Sequence, residues 1–179
     1  MAKKQNVVNE VTETEVPEEE CTPMEDNGFQ FDSDFDVDEE YKVAPLIPSG
    51  TYEGFISSVS FDPSDQTLNW TVTIHADNDV FMSDNETPVN GCTMVYKNYF
   101  PKAGDEDVRT KTGKMTKRQA KINMISDFQK KMGIDMNTPK KIVDGVSNSE
   151  WIGLEVVAVV EVREYQGRLS NQIKEIKAA

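Results

Sequence analysis

The sequence predicts an all-β domain with one helix, preceded by a disordered acidic arm. Segments rich in β-branched and aromatic residues recur after Pro48, and one amphipathic segment follows a capping motif at Thr116. The chain has a net charge of −13, and residues 1–44 hold fourteen acids against three bases. The remaining body therefore carries only −2, and its bases concentrate between Lys97 and Lys131.

Residues 1–44 form the predicted arm, because a stretch dense in like charge cannot bury enough surface to offset its ordering entropy. We expect residues 45–179 to fold as one domain around a single core. Cys21 and Cys92 lie far apart in the sequence, which fits free thiols in a reducing compartment. No apolar run is long enough to span a bilayer, so we expect a cytoplasmic protein without a membrane partner.

Three strands are predicted in the first half of the body. Strand 1 covers Thr51–Phe61, where Gly54 either weakens the strand or permits the bend that a closing barrel requires. Asp62–Asp65 form a turn. Strand 2 follows, with Leu68, Trp70, Val72 and Ile74 alternating with Asn69, Thr71, Thr73 and His75. Residues 76–90 read as a loop, and strand 3 covers Gly91–Phe100.

The helix has chemically marked ends. Thr116 and Gln119 fit a capping box, and Gly133 supplies a left-handed stop. Its apolar stripe consists of Ile122, Ile125, Phe128 and Met132. Residues 134–149 connect the helix to the last strands and leave room for a short helical turn at Pro139–Val143.

Two strands close the chain. Trp151–Val162 is apolar on both faces at its middle, which predicts a central or doubly covered strand 4. The chain turns at Glu164–Gly167, and Arg168–Ile176 returns as strand 5. The five-stranded OB barrel has this same order of three strands, one helix and a two-strand hairpin. Other small β-rich folds also place one helix among five strands.

The two ends of the body resemble bacteriophage-type single-stranded DNA-binding proteins. Ile47–Gly54 carry a P-x-G-x-Y entry, and the exit shows G-x-E-V from Gly153, Y-x-G from Tyr165 and N-x-I-K from Asn171. The resemblance spans residues 45–177. It implies an OB fold that coats single strands in phage replication, recombination or repair in the host cytoplasm.

Binding of single strands without sequence preference needs cations along the phosphates and aromatic rings on which bases stack. If Cys92, Met94 and Tyr96 face inward, Lys97 and Tyr99 face outward, and bases on the next loop continue the track. The strand 4 to strand 5 turn sets one tyrosine between two arginines. The predicted nucleic-acid-binding residues are Lys97, Tyr99, Lys102, Arg109, Lys111, Lys114, Arg163, Tyr165 and Arg168.

Other interpretations of these residues remain open. In the alternative interpretation, Tyr99 is an ordinary half-buried residue that packs against its neighbours, and the lysines only keep the chain soluble. Lys117, Arg118 and Lys121 at the helix start are further DNA contacts or simply exposed. The alternation of strand 2 favours a core position for Trp70 over a stacking platform. The loop Asp62–Gln66 is acidic and lacks any base, which departs from the OB pattern.

Three phenylalanines of the arm alternate with aspartates, which resembles the acidic tails that recruit replication and recombination enzymes to single-stranded DNA-binding proteins. Those tails usually lie at the C-terminus. We expect this segment to bind basic pockets of partner proteins, or to compete with DNA for the protein's own groove. The predicted partner-binding residues are Phe29, Phe31, Asp32, Asp34, Phe35 and Asp36.

The sequence offers no enzyme active site. His75 has no nearby cysteine or second histidine for a metal site, and the spacing around Gly113 and Lys114 does not fit a phosphate loop. We therefore expect a non-enzymatic DNA-binding protein without a cofactor. The alternative is a protein-interaction module that binds a replication or host protein and whose acidic arm mimics nucleic acid.

Overall fold

A computed structural model describes residues 42–179, which contain a five-stranded antiparallel sheet and two helices. The strands are β1 (Gly50–Asp62), β2 (Thr67–His75), β3 (Thr93–Tyr99), β4 (Glu155–Tyr165) and β5 (Arg168–Ala178). The helices α1 (Lys117–Met132) and α2 (Pro139–Ser147) lie between β3 and β4 in the chain. None of the helices in this range is long and apolar enough to cross a membrane.

The prediction of a single helix was wrong, because the short turn expected at Pro139–Val143 extends into α2. Thr138 caps this helix by accepting a hydrogen bond from the Lys141 amide at 3.3 Å, and Pro139 occupies the first turn, where its missing amide costs nothing. Ile142 and Val146 then pack against the core. Tertiary burial therefore lengthens a helix that local signals alone mark only at its start.

The sheet has the order β3-β2-β1-β4-β5. Because every pairing is antiparallel, the edge strands β3 and β5 both run parallel to β1. The two edge strands contact each other, and α1 contacts both of them. The helix thus lies against the side of the sheet where its two edges meet.

Strand β1 is bent by a bulge after Ile56, where the register with β2 shifts by one residue. Gly54 has a different role: a Cβ at this position would lie 2.3 Å from the carbonyl oxygen of Thr73 on β2. Glycine is required here by the close approach of the neighbouring backbone. Strand β1 pairs with β4 over Gly50–Phe55 and with β2 over Glu53–Asp62, so Gly54 lies where all three strands are paired.

The core contains Trp70, which is fully buried, as the alternation of strand 2 predicted. Its ring lies 5.0 Å from Phe128 of α1 and 5.1 Å from Trp151 between ring centroids. The Trp70 Nε1 group donates a hydrogen bond to Asn98 Oδ1 at 2.7 Å, so the polar atom of the indole is satisfied inside the core.

The other element boundaries differ by a few residues from the predictions. Strand β4 starts at Glu155, and Trp151 lies in the preceding turn, buried against Gly145 of α2. Ile152, which lies within the predicted strand 4, is exposed in that turn. Buried apolar residues such as Trp151 occur in turns as well as in strands. The apolar pattern alone therefore placed the start of strand 4 too early, at Trp151.

The ends of α1 are as predicted. Thr116 accepts a hydrogen bond from the Gln119 amide at 3.2 Å, and Gly133 adopts a left-handed φ of 64°. The reciprocal half of the capping box does not form, because the Gln119 side chain donates to Asn123 instead.

Candidate nucleic-acid interface

Strand β3 turns its alternate residues to the outside of the sheet. Lys97 and Tyr99 are exposed, whereas Met94, Tyr96 and Asn98 are partly or fully buried. This confirms the predicted facing of the strand. Tyr99 is 47% exposed, so a large part of its ring is available for stacking.

The acidic loop between β1 and β2 lies beside these cations, which the sequence order alone did not reveal. Lys102 Nζ is 3.8 Å from Asp65 Oδ1, and it also donates to the Ser64 carbonyl at 3.5 Å. The pKa of Asp62 is lowered, mainly by hydrogen bonds from Ser64 and to a lesser extent by the charge of Lys97. Lys102 therefore has an anionic neighbour within the folded chain.

The segment between β3 and α1 is held by backbone hydrogen bonds. Arg109 and Thr116 form an isolated antiparallel bridge, and the Thr110 amide donates to the Met115 carbonyl at 2.9 Å. The Arg109 guanidinium donates to the Gly113 carbonyl at 3.0 Å. This hairpin-like turn carries the exposed side chains of Lys111 and Lys114 at its tip.

Asp105 anchors the base of this turn. Its Oδ2 atom accepts hydrogen bonds from Lys121 Nζ at 2.7 Å and from the Lys102 amide at 2.8 Å. The hydrogen bond from Lys121, followed by that from Lys102, lowers the pKa of Asp105. Lys121 also donates to the Phe100 carbonyl at 3.0 Å, so it joins α1 to the end of β3 and is not a free cation.

The second predicted group lies on the hairpin between β4 and β5. Gln166 and Gly167 both have positive φ, as a two-residue turn of this kind requires. Tyr165 pairs with Arg168 across the hairpin, and Arg163 lies two residues before Tyr165 on β4. The register therefore places all three residues on one face of the hairpin, and Tyr165 is 66% exposed.

The two groups lie toward opposite ends of the outer surface. Tyr99 pairs with Thr67 near the Asp62 end of β1, whereas Tyr165 lies five residues beyond Val160, the partner of Gly50 at the other end. The path from one tyrosine to the other covers twelve residues from Asp62 to Gly50 and five more from Val160 to Tyr165. A strand rises about 3.3 Å per residue, so this path follows roughly 55 Å of sheet.

An aromatic pair that the sequence reasoning missed lies between these ends. Phe55 of β1 and His75 of β2 are 5.3 Å apart between ring centroids, on the outer face that also carries Tyr99. The signal was present in the sequence, because Gly54 and Ile56 are inward and the residue between them must face outward.

The six predicted partner-binding residues, Phe29, Phe31, Asp32, Asp34, Phe35 and Asp36, lie outside the described residues, as does most of the predicted arm. Between residues 42 and 179, no cluster of histidine, cysteine or carboxylate side chains could hold a metal ion. No protein-family model matches the chain, and no curated protein matches it either.

Proposed function

We propose that this protein binds and coats single-stranded DNA in phage-type replication, recombination or repair, and that its sheet is an OB-like barrel. The strand order, the parallel edge strands β3 and β5, and a helix that contacts both edges support the barrel. The outer face and the β4 to β5 hairpin then correspond to the surfaces with which OB barrels hold oligonucleotides.

The hairpin is the observation that carries this proposal. Arg163, Tyr165 and Arg168 are exposed on one face, and in the described part of the chain neither arginine is paired with a carboxylate. An exposed ring between two unpaired cations has little structural purpose of its own. It matches the combination of stacking and phosphate neutralisation that single strands require.

In the proposed mechanism, bases stack on Tyr99 at one end of the sheet and on Tyr165 at the other, with the Phe55 and His75 pair between them. Lys97, Lys111, Lys114, Arg109, Lys102 and the two hairpin arginines neutralise phosphates. The path of roughly 55 Å along the strands spans several nucleotides, within the site sizes of about 4 to 16 nucleotides that OB folds use.

A fluorescence anisotropy titration tests the function. We expect a labelled oligothymidylate to bind more tightly than a duplex of equal length, with a log-log salt slope of about −5 if the seven cations each neutralise one phosphate. Substituting both Arg163 and Arg168 by Gln should reduce the slope by about 1.4, because two phosphate contacts are lost.

The Lys130→Gln variant is a matched control, because Lys130 is an exposed cation in the last turn of α1, outside the proposed interface. Its slope should equal that of the unmodified protein. Equal binding of duplex and single strand, or an unchanged slope in the double arginine variant, would refute the proposed interface.

The acidic arm is proposed to recruit partner proteins or to compete with DNA for the basic surface. Substituting Asp32, Asp34 and Asp36 by Asn removes three of its charges while keeping the chain length. Tighter DNA binding at low salt supports self-competition, and unchanged binding leaves partner recruitment as the role of the arm.

A protein-interaction module is the second candidate, in which the acidic arm mimics nucleic acid. The observation that favours it is an apolar groove between α1 and α2, lined partly by exposed hydrophobic side chains. Lack of binding to a single strand in low salt, both for the unmodified chain and for the arm variant, would favour this function over DNA binding.

A further inference from the structure

Two polar side chains of β2 have no hydrogen-bond partner within residues 42–179. The oxygen atoms Thr67 Oγ1 and Asn69 Oδ1 are both fully buried, and neither makes a hydrogen bond to the described chain. Thr67 is only 1% exposed, although it lies on the outer face of the sheet, opposite Tyr99. Unpaired buried polar atoms are rare in folded proteins, because such an atom loses its hydrogen bonds to water and gains none in return.

Both atoms lie next to the proposed stacking ring of β3. Thr67 pairs with Tyr99 across the two strands, and Asn69 pairs with Lys97. Directly opposite residues share a face of the sheet, and diagonal neighbours lie about 7 to 8 Å apart. A base that stacks on Tyr99 therefore has Thr67 and Asn69 within reach of its edge.

The side chains that flank these atoms on β3 are not anchored. Within the described residues Lys97 forms no ion pair with a carboxylate, and Tyr99 is 47% exposed. The pKa of Asp62, across β2 from Lys97, is lowered mainly by hydrogen bonds from Ser64 and also by the lysine charge, so Lys97 points over β2. Lys97 would therefore lose no ion pair if it turned toward a phosphate and uncovered β2.

The chemistry of the two atoms limits which groups can pair with them. A side-chain amide oxygen only accepts hydrogen bonds, whereas a threonine hydroxyl both donates and accepts them. A ligand that satisfies Asn69 Oδ1 must therefore bring a donor. Adenine and cytosine carry an exocyclic amino group, whereas guanine and thymine carry a carbonyl oxygen at the equivalent position. An amide oxygen that faces this carbonyl gains no hydrogen bond.

We infer that Thr67 and Asn69 form a base-recognition subsite beside Tyr99 that prefers adenine or cytosine. The base stacks on Tyr99, its amino group donates to Asn69 Oδ1, and the Thr67 hydroxyl pairs with a further polar atom of the base edge. The subsite rests on the proposed function, the binding of single-stranded DNA, and adds a base preference at one position of the strand. A site built to hydrogen-bond a ligand group rejects the analogue that lacks it, because the buried atoms of the site are then left unpaired.

Strands of cytosine and of uracil provide a direct comparison, because uracil has a carbonyl oxygen where cytosine has its amino group. In fluorescence anisotropy at mildly alkaline pH, we expect labelled oligodeoxycytidylate to bind about tenfold more tightly than oligodeoxyuridylate of equal length. Asn69→Leu should abolish this preference and Thr67→Val should weaken it. The salt slope should stay the same in both variants, because neither substitution removes a cation.

The stability of the free protein provides a second measurement. Thr67→Val replaces an unpaired hydroxyl by a methyl group of similar shape, so the urea midpoint should stay the same or rise. A lower midpoint would show that the hydroxyl has a partner in the free protein, and it would overturn the inference.

Thr71→Val is the matched control for base preference. Thr71 lies on the same face of β2, but its hydroxyl already accepts a hydrogen bond from Ser58 Oγ at 2.9 Å and so requires no ligand. This variant should keep the full preference for the cytosine strand.

The possible outcomes separate the subsite from the function on which it rests. Equal affinity of the unmodified protein for the two strands, with a steep salt dependence, would overturn the subsite and leave DNA binding intact. A preference that survives in Asn69→Leu, or that Thr71→Val abolishes to the same extent, would also overturn the subsite. No binding to either strand would refute the proposed DNA-binding function and the subsite with it.

Discussion

The buried hydrogen bond between Trp70 and Asn98 provides a quantitative test of the core. The two atoms are 2.7 Å apart, and the residues are 0% and 2% exposed. Asn98→Leu leaves the indole N–H without a partner, which should reduce the free energy of unfolding by about 1 to 3 kcal/mol. Trp70→Phe leaves Asn98 Oδ1 unpaired and removes part of a ring that contacts Phe128 and Trp151, so it should cost about 3 kcal/mol or more.

The double variant distinguishes the hydrogen bond from the packing around it. With both polar partners gone, neither group remains buried and unpaired, so the double variant should be more stable than the sum of the single effects by about 1 to 2 kcal/mol. Urea denaturation followed by far-ultraviolet circular dichroism measures all four proteins without relying on tryptophan fluorescence. Additivity within about 0.5 kcal/mol would refute the energetic role assigned to this bond.

Two further substitutions test the close backbone approach and the anchor of the basic turn. Gly54→Ala should destabilise the protein by about 3 kcal/mol in urea denaturation, because its Cβ would lie 2.3 Å from the Thr73 carbonyl oxygen. Gly50→Ala is the control, since its nearest contact is 3.4 Å, and equal losses in both variants would contradict the steric cause. Asp105→Asn should be less stable than the unmodified protein at neutral pH, because the folded state lowers the pKa of Asp105 through its hydrogen bonds with Lys121 and Lys102. This advantage is present above the unfolded pKa near 3.8 and is lost as the pH falls through the lower folded pKa, so denaturation midpoints that stay equally far apart in acid would contradict it.

Strand periodicity allowed most of the sheet to be predicted, because alternation is a direct consequence of backbone geometry. The alternating residues of strand 2 fixed the buried position of Trp70, and the same rule placed Lys97 and Tyr99 outward. The cap at Thr116 and the stop at Gly133 fixed α1 to within one residue. These signals are local, and each is complete within a few residues of sequence.

The features that could not be predicted depend on contacts between distant parts of the chain. The requirement for glycine at residue 54 comes from the backbone of Thr73 on the next strand. The full length of α2 comes from the packing of Ile142 and Val146 on the core. Similarly, Lys121 appeared to be a free cation at a helix start, but it is bound to Asp105, sixteen residues away.

The pairing of charges also changes what the basic stretch can contribute to the proposed DNA binding. Lys121 is fixed by Asp105, and Lys102 lies beside Asp65, so an approaching phosphate must displace a carboxylate before it gains either cation. Exchange of one anion for another releases fewer counterions than neutralisation of a bare phosphate by a free cation. The steepest salt dependence should therefore come from the cations without acidic partners, and Arg163 and Arg168 on the β4 to β5 hairpin should contribute more per residue than Lys102.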